Sequence, residues 1–248
     1  MLKTTLVVPC YNEAQRFPLS VFTAFIEQHP NISLVVVNDG SSDGTSLVLQ
    51  NLRATNPARI QVIDRIENRG KAESVREGML AALAAAGKPD VIGFWDADLA
   101  TPLEAIFDML PKLEDRPTLQ MVFGARVALL GREIHRKPQR HYLGRIFAAA
   151  VSAMLRLPIY DTQCGAKLFR VGPLTPQLFQ ESFSSRWVFD VEIIARWLRA
   201  NRYDRNLVKT TIYELPLHQW EDVGGSKVKP YDFILAFRDV LRIYQRYF

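Results

Sequence analysis

The sequence predicts an α/β fold: one domain built on a mostly parallel central sheet flanked by helices, with a smaller C-terminal lobe. Three observations carry this expectation. Short apolar, β-branched runs alternate four times with helical patterns in the first hundred residues. Those runs are continuously apolar, as strands covered on both faces are. They also end abruptly in polar or acidic clusters, and the carboxyl ends of such strands are where open α/β sheets bind ligands. The clearest case is the stretch 92–102, Ile-Gly-Phe-Trp-Asp-Ala-Asp-Leu-Ala-Thr-Pro.

Taken in order, residues 4–9 read as a strand running into the polar loop Cys10-Tyr11-Asn12-Glu13, and 18–28 read as an amphipathic helix. Residues 33–38 form a second buried strand. It ends in Asn38-Asp39-Gly40-Ser41-Ser42-Asp43-Gly44-Thr45, a turn cluster in which Ser42 or Asp43 can cap the helix 45–54. Asp39 is placed to hydrogen-bond a nucleoside, although a plain turn residue would look the same. A third strand, 61–64, leads through Asn68-Arg69-Gly70-Lys71 into a helix over 72–86. Lys71 is a cation at a helix start, where the macrodipole disfavours one, so it points to an anionic partner. The fourth strand, 91–95, delivers Asp96 and Asp98, which strand alternation would aim the same way. Carboxylate oxygens at that spacing suit Mg²⁺ or Mn²⁺ completed by substrate phosphates, while a pair of exposed turn acids is the plainer alternative. The Gly-x-Gly-x-x-Gly and phosphate-loop patterns are both absent, which excludes an ordinary NAD or ATP site.

Beyond a fifth strand at 121–126 the composition shifts. Residues 126–145 carry six Arg or Lys against the single acid Glu133. A helix follows with Leu143, Phe147, Val151 and Leu155 at i+4 spacing, and a basic entry to an apolar helix suits a surface that meets phosphate and lipid together. Asp190 and Glu192 open a later helix, where first-turn acids are at home for dipole reasons alone. Residues 213–217 read as a strand. A last helix from Tyr231 carries Arg238, Arg242 and Arg246 on one stripe and Phe233, Phe237, Leu241 and Tyr244 on another, read as packing on the domain or lying on a membrane.

The bulk properties are those of an ordinary soluble chain, 48% hydrophobic and 23% charged. The longest apolar stretch, 146–155, is far short of the roughly 20 residues a membrane span needs. A strand pattern that starts almost at Met1 leaves no room for a signal peptide. Cys10 and Cys164 offer no disulfide or zinc spacing, so a cytoplasmic location is expected. The net charge of +5 favours an anionic partner. Nucleic acid is disfavoured, because the basic stretch has no aromatic stacking platform or reader motif.

Taken together, Val8-Pro9-Cys10-Tyr11-Asn12-Glu13, residues 38–45, Asn68-Arg69-Gly70-Lys71 and Asp96-Ala97-Asp98 resemble the family-two glycosyltransferases of GT-A (Rossmann-like) fold. The later blocks Phe123-Gly124-Ala125-Arg126, residues 161–169, Phe189-Asp190-Val191-Glu192 and Gly225-Ser226-Lys227 resemble the dolichyl-phosphate glucosyltransferase branch. The mannosyl relatives usually differ at the Gln163 position, so the resemblance favours UDP-glucose over GDP-mannose. It implies that residues 1–125 bind the nucleotide-sugar and 126–248 the acceptor. Pro9, Tyr11, Glu13, Asp39 and Lys71 would cradle the nucleotide, Asp39 on the base and Glu13 near the ribose. Asp96 and Asp98 would hold the metal on the diphosphate, and Arg126, Arg136 and Arg140 would take the phosphate of a polyprenyl or dolichyl phosphate. A phosphate acceptor needs no strong base. A soluble hydroxyl acceptor would need one, with Asp161 or Asp190 as the candidates. A nucleotide-sugar sensor without turnover is the non-enzymatic alternative. Relatives carry membrane anchors that are not expected here, so a lipid acceptor implies peripheral contact at the cytoplasmic membrane face. Asn38 departs from the family, where a further Asp is common.

Overall fold

The computed structural model describes the backbone of residues 1–135, 138–223 and 230–248, and the side chains of all residues but 136–141 and 224–234. In chain order the elements are β1 (Thr4–Cys10), α1 (Leu19–Gln28), β2 (Ile32–Asn38), α2 (Thr45–Thr55), β3 (Ile60–Asp64), α3 (Lys71–Ala84) and β4 (Val91–Trp95). Then follow α4 (Ile106–Asp115), β5 (Met121–Ala125), β6 (Glu133–His135), α5 (Pro138–Leu155) and β7 (Ala166–Arg170). The chain closes with α6 (Phe189–Ala200), α7 (Arg205–Thr211), β8 (Ile212–Pro216), β9 (Gln219–Glu221) and α8 (Pro230–Tyr247). The chain divides into two compact units, Met1–Leu99 with Gly165–Ser182, and Ala100–Cys164 with Phe183–Phe248.

In the first unit the strands lie in the order β3-β2-β1-β4-β7. β1 pairs in parallel with β2 (Thr4↔Ile32 to Cys10↔Asn38) and with β4 (Thr4↔Val91), and β2 pairs in parallel with β3. β7 runs antiparallel to β4, from Val91↔Arg170 to Trp95↔Ala166. The sheet is therefore mixed and mostly parallel, as expected. Its central strands are buried along nearly their whole length, with Val8, Val36, Phe94 and Trp95 in the core. Three parallel strands, β1, β2 and β4, bring Tyr11, Asp39 and Asp96 to the carboxyl end of the sheet, immediately after their strands.

In the second unit β5 pairs in parallel with β8, and β6 with β9. α6 is buried from Phe189 to Leu198, so it is a core helix and not a surface one. Asp190 and Glu192 stand in its first turn as expected, and both side chains are buried, so they have a packing role besides the dipole. Two apolar stripes also differ from expectation. On α5, Phe147, Val151 and Leu155 face inward but Leu143 is exposed. On α8 the packed residues are Val240, Ile243 and Tyr247, whereas Phe237, Leu241 and Tyr244 are exposed; Phe233 lies outside the described side chains. Among the described residues, no helix is long and apolar enough to cross a membrane.

Candidate active site

β4 is buried at all five positions and stops at Trp95, so Asp96, Ala97 and Asp98 lie in a turn. A turn, and not strand alternation, places the two acids: Ala97 is buried between them while Asp96 and Asp98 keep partial exposure. The turn closes through Leu99, whose φ is 51° and whose amide donates to the Asp96 carbonyl at 3.2 Å. The Asp96 amide donates to the Gly165 carbonyl at 3.0 Å, and its carboxylate lies directly over Gly165. A Cβ on Gly165 would fall 1.9 Å from Asp96 Oδ2. The Lys71 ammonium forms an ion pair with Asp96 Oδ1. The cation at the start of α3 is thus explained: its partner is the first acid of the turn.

Asp39 is almost fully buried at the end of β2. Its carboxylate accepts from the amides of Arg69 (2.9 Å) and Gly70 (2.8 Å) and from Arg65 Nη1 (3.0 Å). Arg65 also donates to Glu77 and to the Glu73 carbonyl. Asp39 therefore fastens the loop that presents Lys71. Gly40 permits the crossing, since with φ +64° a Cβ there would meet the Glu67 carbonyl carbon at 2.5 Å. Asn38 donates from Nδ2 to Asp64 Oδ1 (2.7 Å) and accepts from the Ser41 hydroxyl (2.5 Å). An Asp at position 38 would set two carboxylates against each other. Pro9 lies within β1, next to its last residue Cys10, and Tyr11 on the loop that follows is exposed. The Glu13 carboxylate accepts from Arg16 Nη2 at 2.7 Å, while its amide donates to Thr45 Oγ1.

Asp39→Asn would keep the shape but turn an NH₂ toward one of the two amide donors and remove the charge that Arg65 faces on this side. Buried hydrogen bonds to charged groups are worth roughly 1.5–3 kcal/mol. We expect a loss of about 2 kcal/mol in thermal unfolding, and weaker donor binding as the Lys71 loop loosens. Unchanged melting would refute the anchoring role.

In the second unit Arg126 and Asp161 form a bidentate pair. Asp161 Oδ2 accepts from Arg126 Nε (2.7 Å) and its amide (3.0 Å), and Oδ1 accepts from Nη2 (2.8 Å). The Arg126 guanidinium also lies 5.3 Å from the centroid of the Trp220 ring. The amides of Tyr160 and Asp161 donate to Glu214, so two carboxylates fix this loop. Beyond it, Thr162 Oγ1 and Gln163 Nε2 are buried polar atoms with no hydrogen-bond partner among the described residues. Asp190, buried, stands second in α6. Arg136 and the Arg140 side chain lie outside the described residues.

Two hard oxygen donors, Asp96 and Asp98, fit a divalent ion of the Mg²⁺ or Mn²⁺ type, and the Lys71 ammonium shows that Asp96 already attracts a cation. Among the described residues no cluster of three or more His, Cys, Asp or Glu could hold a metal. Such an ion is ordinarily completed by waters and substrate phosphates.

Residues 5–175 match the family profile described as Glycosyl transferase family 2. The chain belongs to that family. This family 2 glycosyltransferase is 33% identical over 264 residues to dolichyl-phosphate beta-glucosyltransferase of Drosophila melanogaster, covering 99% of this chain and 76% of that protein. The human protein of the same name is 30% identical over 265 residues, covering 98% and 75%. In fold, the transferase is similar to glucosyl-3-phosphoglycerate synthase from Mycobacterium tuberculosis, solved in complex with Mn²⁺, UDP and glucosyl-3-phosphoglycerate. The TM-score is 0.68 at 16% identity, covering 99% of this chain and 79% of that one. Sequence reasoning missed Arg65 and the spatial role of Gly165. The first is a lone cation just past β3, and the second a glycine inside a block noticed only for its likeness.

Proposed function

We propose that this glycosyltransferase moves glucose from UDP-glucose to the phosphate of a dolichyl or other polyprenyl phosphate, with inversion at the anomeric carbon. The observation that carries the reading is the common name of relatives aligned over nearly the whole chain. The site supports it chemically. Residues 1–125 hold the donor and 126–248 the acceptor, at a membrane surface reached from the cytoplasm.

Asp96 and Asp98 would hold Mg²⁺ or Mn²⁺, which when bound offsets charge on the departing diphosphate. Lys71 adds a second positive charge beside Asp96, and Asp39 with Arg65 keeps the Lys71 loop in place. Pro9, Tyr11 and Glu13 lie on the neighbouring strand end, as a nucleoside cradle requires. An acceptor phosphate is ionised at neutral pH, so its oxygen attacks C1 directly while the bond from C1 to the diphosphate oxygen breaks and UDP leaves. No proton must be removed, which suits a chain whose Asp161 is bound at both oxygens to Arg126. Arg126 acts for the acceptor chiefly by fixing the 160–163 loop, with Arg136 and Arg140 as further phosphate partners. The Thr162 hydroxyl and the Gln163 amide are left for substrate.

The test incubates purified protein and Mn²⁺ with radiolabelled UDP-glucose, or separately GDP-mannose, with and without polyprenyl phosphate in detergent, followed by organic extraction. Label should enter the organic phase from UDP-glucose only and disappear with Asp98→Ala. Label from GDP-mannose would make it a mannosyltransferase. Transfer confined to the aqueous phase would indicate a soluble acceptor, with Asp161 or Asp190 then tested as base by Asn substitution. Donor binding with no turnover would indicate a sensor.

A further inference from the structure

The outer faces of α5 and α8 are apolar where surface helices are ordinarily polar. Between Arg145 and Arg156 the sequence Ile-Phe-Ala-Ala-Ala-Val-Ser-Ala-Met-Leu carries no charge. Phe147, Val151 and Leu155 face inward, which leaves Ile146, 60% exposed, on the outside with Ala149, Ala150 and Ala153. α8 is packed through Val240, Ile243 and Tyr247, which leaves Phe237, Tyr244 and the 56% exposed Leu241 outside. The helices meet where Phe147 and Phe237 pack edge to face, ring centroids 5.7 Å apart, so the two outer stripes flank one seam.

Among the described side chains the exposed charge around this seam is positive, and its acidic partners, Asp239 and Glu192, are the less exposed members of their ion pairs. Arg145 stands on α5, and Arg238, Arg242 and Arg246 on α8 have side chains that are 63%, 53% and 41% exposed. α5 contains no acid. Among the described side chains of α8 the acid is Asp239, 15% exposed and accepting from the Ser185 hydroxyl at 2.7 Å. Apolar residues rimmed by arginines match an anionic lipid leaflet, with acyl chains against the stripe and headgroups against the guanidinium groups. A second copy docked face to face would set arginine stripe against arginine stripe, because a two-fold contact presents the same patch twice.

We propose that the α5–α8 face is a docking surface for an anionic membrane, on which the protein lies without crossing it. The inference gives the lipid-phosphate reading its membrane partner and rests on that reading for its purpose. Its test does not use the acceptor. Full-length protein is sedimented with vesicles free of polyprenyl phosphate, made either of phosphatidylcholine or of phosphatidylcholine mixed with phosphatidylglycerol. Binding is expected to the mixed vesicles, on the order of ten-fold or more tighter than to the zwitterionic ones, and to weaken as salt is raised. Arg238→Gln with Arg242→Gln should cost on the order of ten-fold or more in binding. Ile146→Asp with Leu241→Asp should abolish it. Both pairs should leave the melting temperature unchanged, and also transfer to a short-chain, water-soluble acceptor phosphate, because these side chains are exposed and outside the donor site. Failure of the natural protein to bind anionic vesicles would overturn the proposal, as would undiminished binding by the aspartate pair. So would a dimer in solution that the aspartate pair dissolves. Vesicle binding with no transfer to any lipid phosphate would sink the function proposed above and leave the docking surface standing.

Discussion

Gly165→Ala is expected to cut turnover by about 100-fold or more while the protein still folds. The new Cβ would lie 1.9 Å from Asp96 Oδ2 and 2.1 Å from Cγ, separations no pair of non-bonded atoms sustains. What must yield is the end of a flexible side chain, not backbone or core, so the Asp96 carboxylate swings away and the sheet is kept. Gly165 still accepts from the Asp96 amide in the variant, which holds the turn itself. The displaced carboxylate leaves both Lys71 and any ion shared with Asp98. A misplacement of about 1 Å at a reacting centre can cost on the order of 100-fold, equivalent to about 2.7 kcal/mol of transition-state stabilisation. The measurements are kcat with the labelled donor, Mn²⁺ binding followed by paramagnetic resonance, and the melting temperature. Turnover and ion binding should fall together while melting changes little. Full activity would mean that the Asp96 position over Gly165 is not the working one.

That glycine also shows where sequence reasoning stops. β1, β2 and β4 were legible because a strand buried on both faces is apolar throughout, and these short runs end in turn clusters where the apolar run 146–155 continues as a helix. Asp96 and Asp98 were legible because they interrupt such a run. Their placement was not, since the strand ends before them and a turn with Leu99 in the left-handed region does the aiming. Gly165 is 69 residues away from Asp96 in sequence, and only the antiparallel return of β7 beside β4 brings it under the carboxylate. No local pattern encodes that pairing. Asp39 was noticed at a strand end, but its two amide donors and Arg65 come from the far side of β3.

The C-terminal helix shows a different limit. α8 has apolar residues at 237, 241 and 244 and again at 240, 243 and 247, so helical periodicity offers two faces. Packing selected the second. The deciding feature is polar: Tyr247 carries a hydroxyl that reaches a buried carboxylate, which none of Phe237, Leu241 or Tyr244 does in the described contacts. An apolar stripe read from spacing alone cannot anticipate such an anchor.

Glu192→Ala is expected to destabilise the protein by roughly 3–5 kcal/mol, the usual cost of breaking a buried ion pair by removing one partner. Glu192 is 0% exposed. Its carboxylate accepts from the Ser184 amide (2.7 Å), Arg196 Nη2 (2.9 Å) and the Tyr247 hydroxyl (2.8 Å). Arg196 Nε in turn donates to the Tyr247 oxygen at 3.1 Å, and its guanidinium lies 4.4 Å from the Phe183 ring centroid. Burial, and then the hydrogen bond to Glu192, raise the Tyr247 pKa, so the hydroxyl remains a donor at neutral pH. Removing the carboxylate takes from the buried Arg196 guanidinium its ion-pair partner Glu192 and frees the end of α8. At roughly 2–4 °C per kcal/mol for a chain of this size, the melting temperature should fall by about 10 °C. Proteolysis should reach the C-terminal helix first. Replacing both partners, Glu192→Leu with Arg196→Met, removes the buried cation along with the carboxylate and should recover much of the loss. A single variant that melts within a degree or two of the natural protein would show the pair to be dispensable. A double variant no better than the single would place the cost in the lost hydrogen bonds to Ser184 and Tyr247 instead of in the broken ion pair.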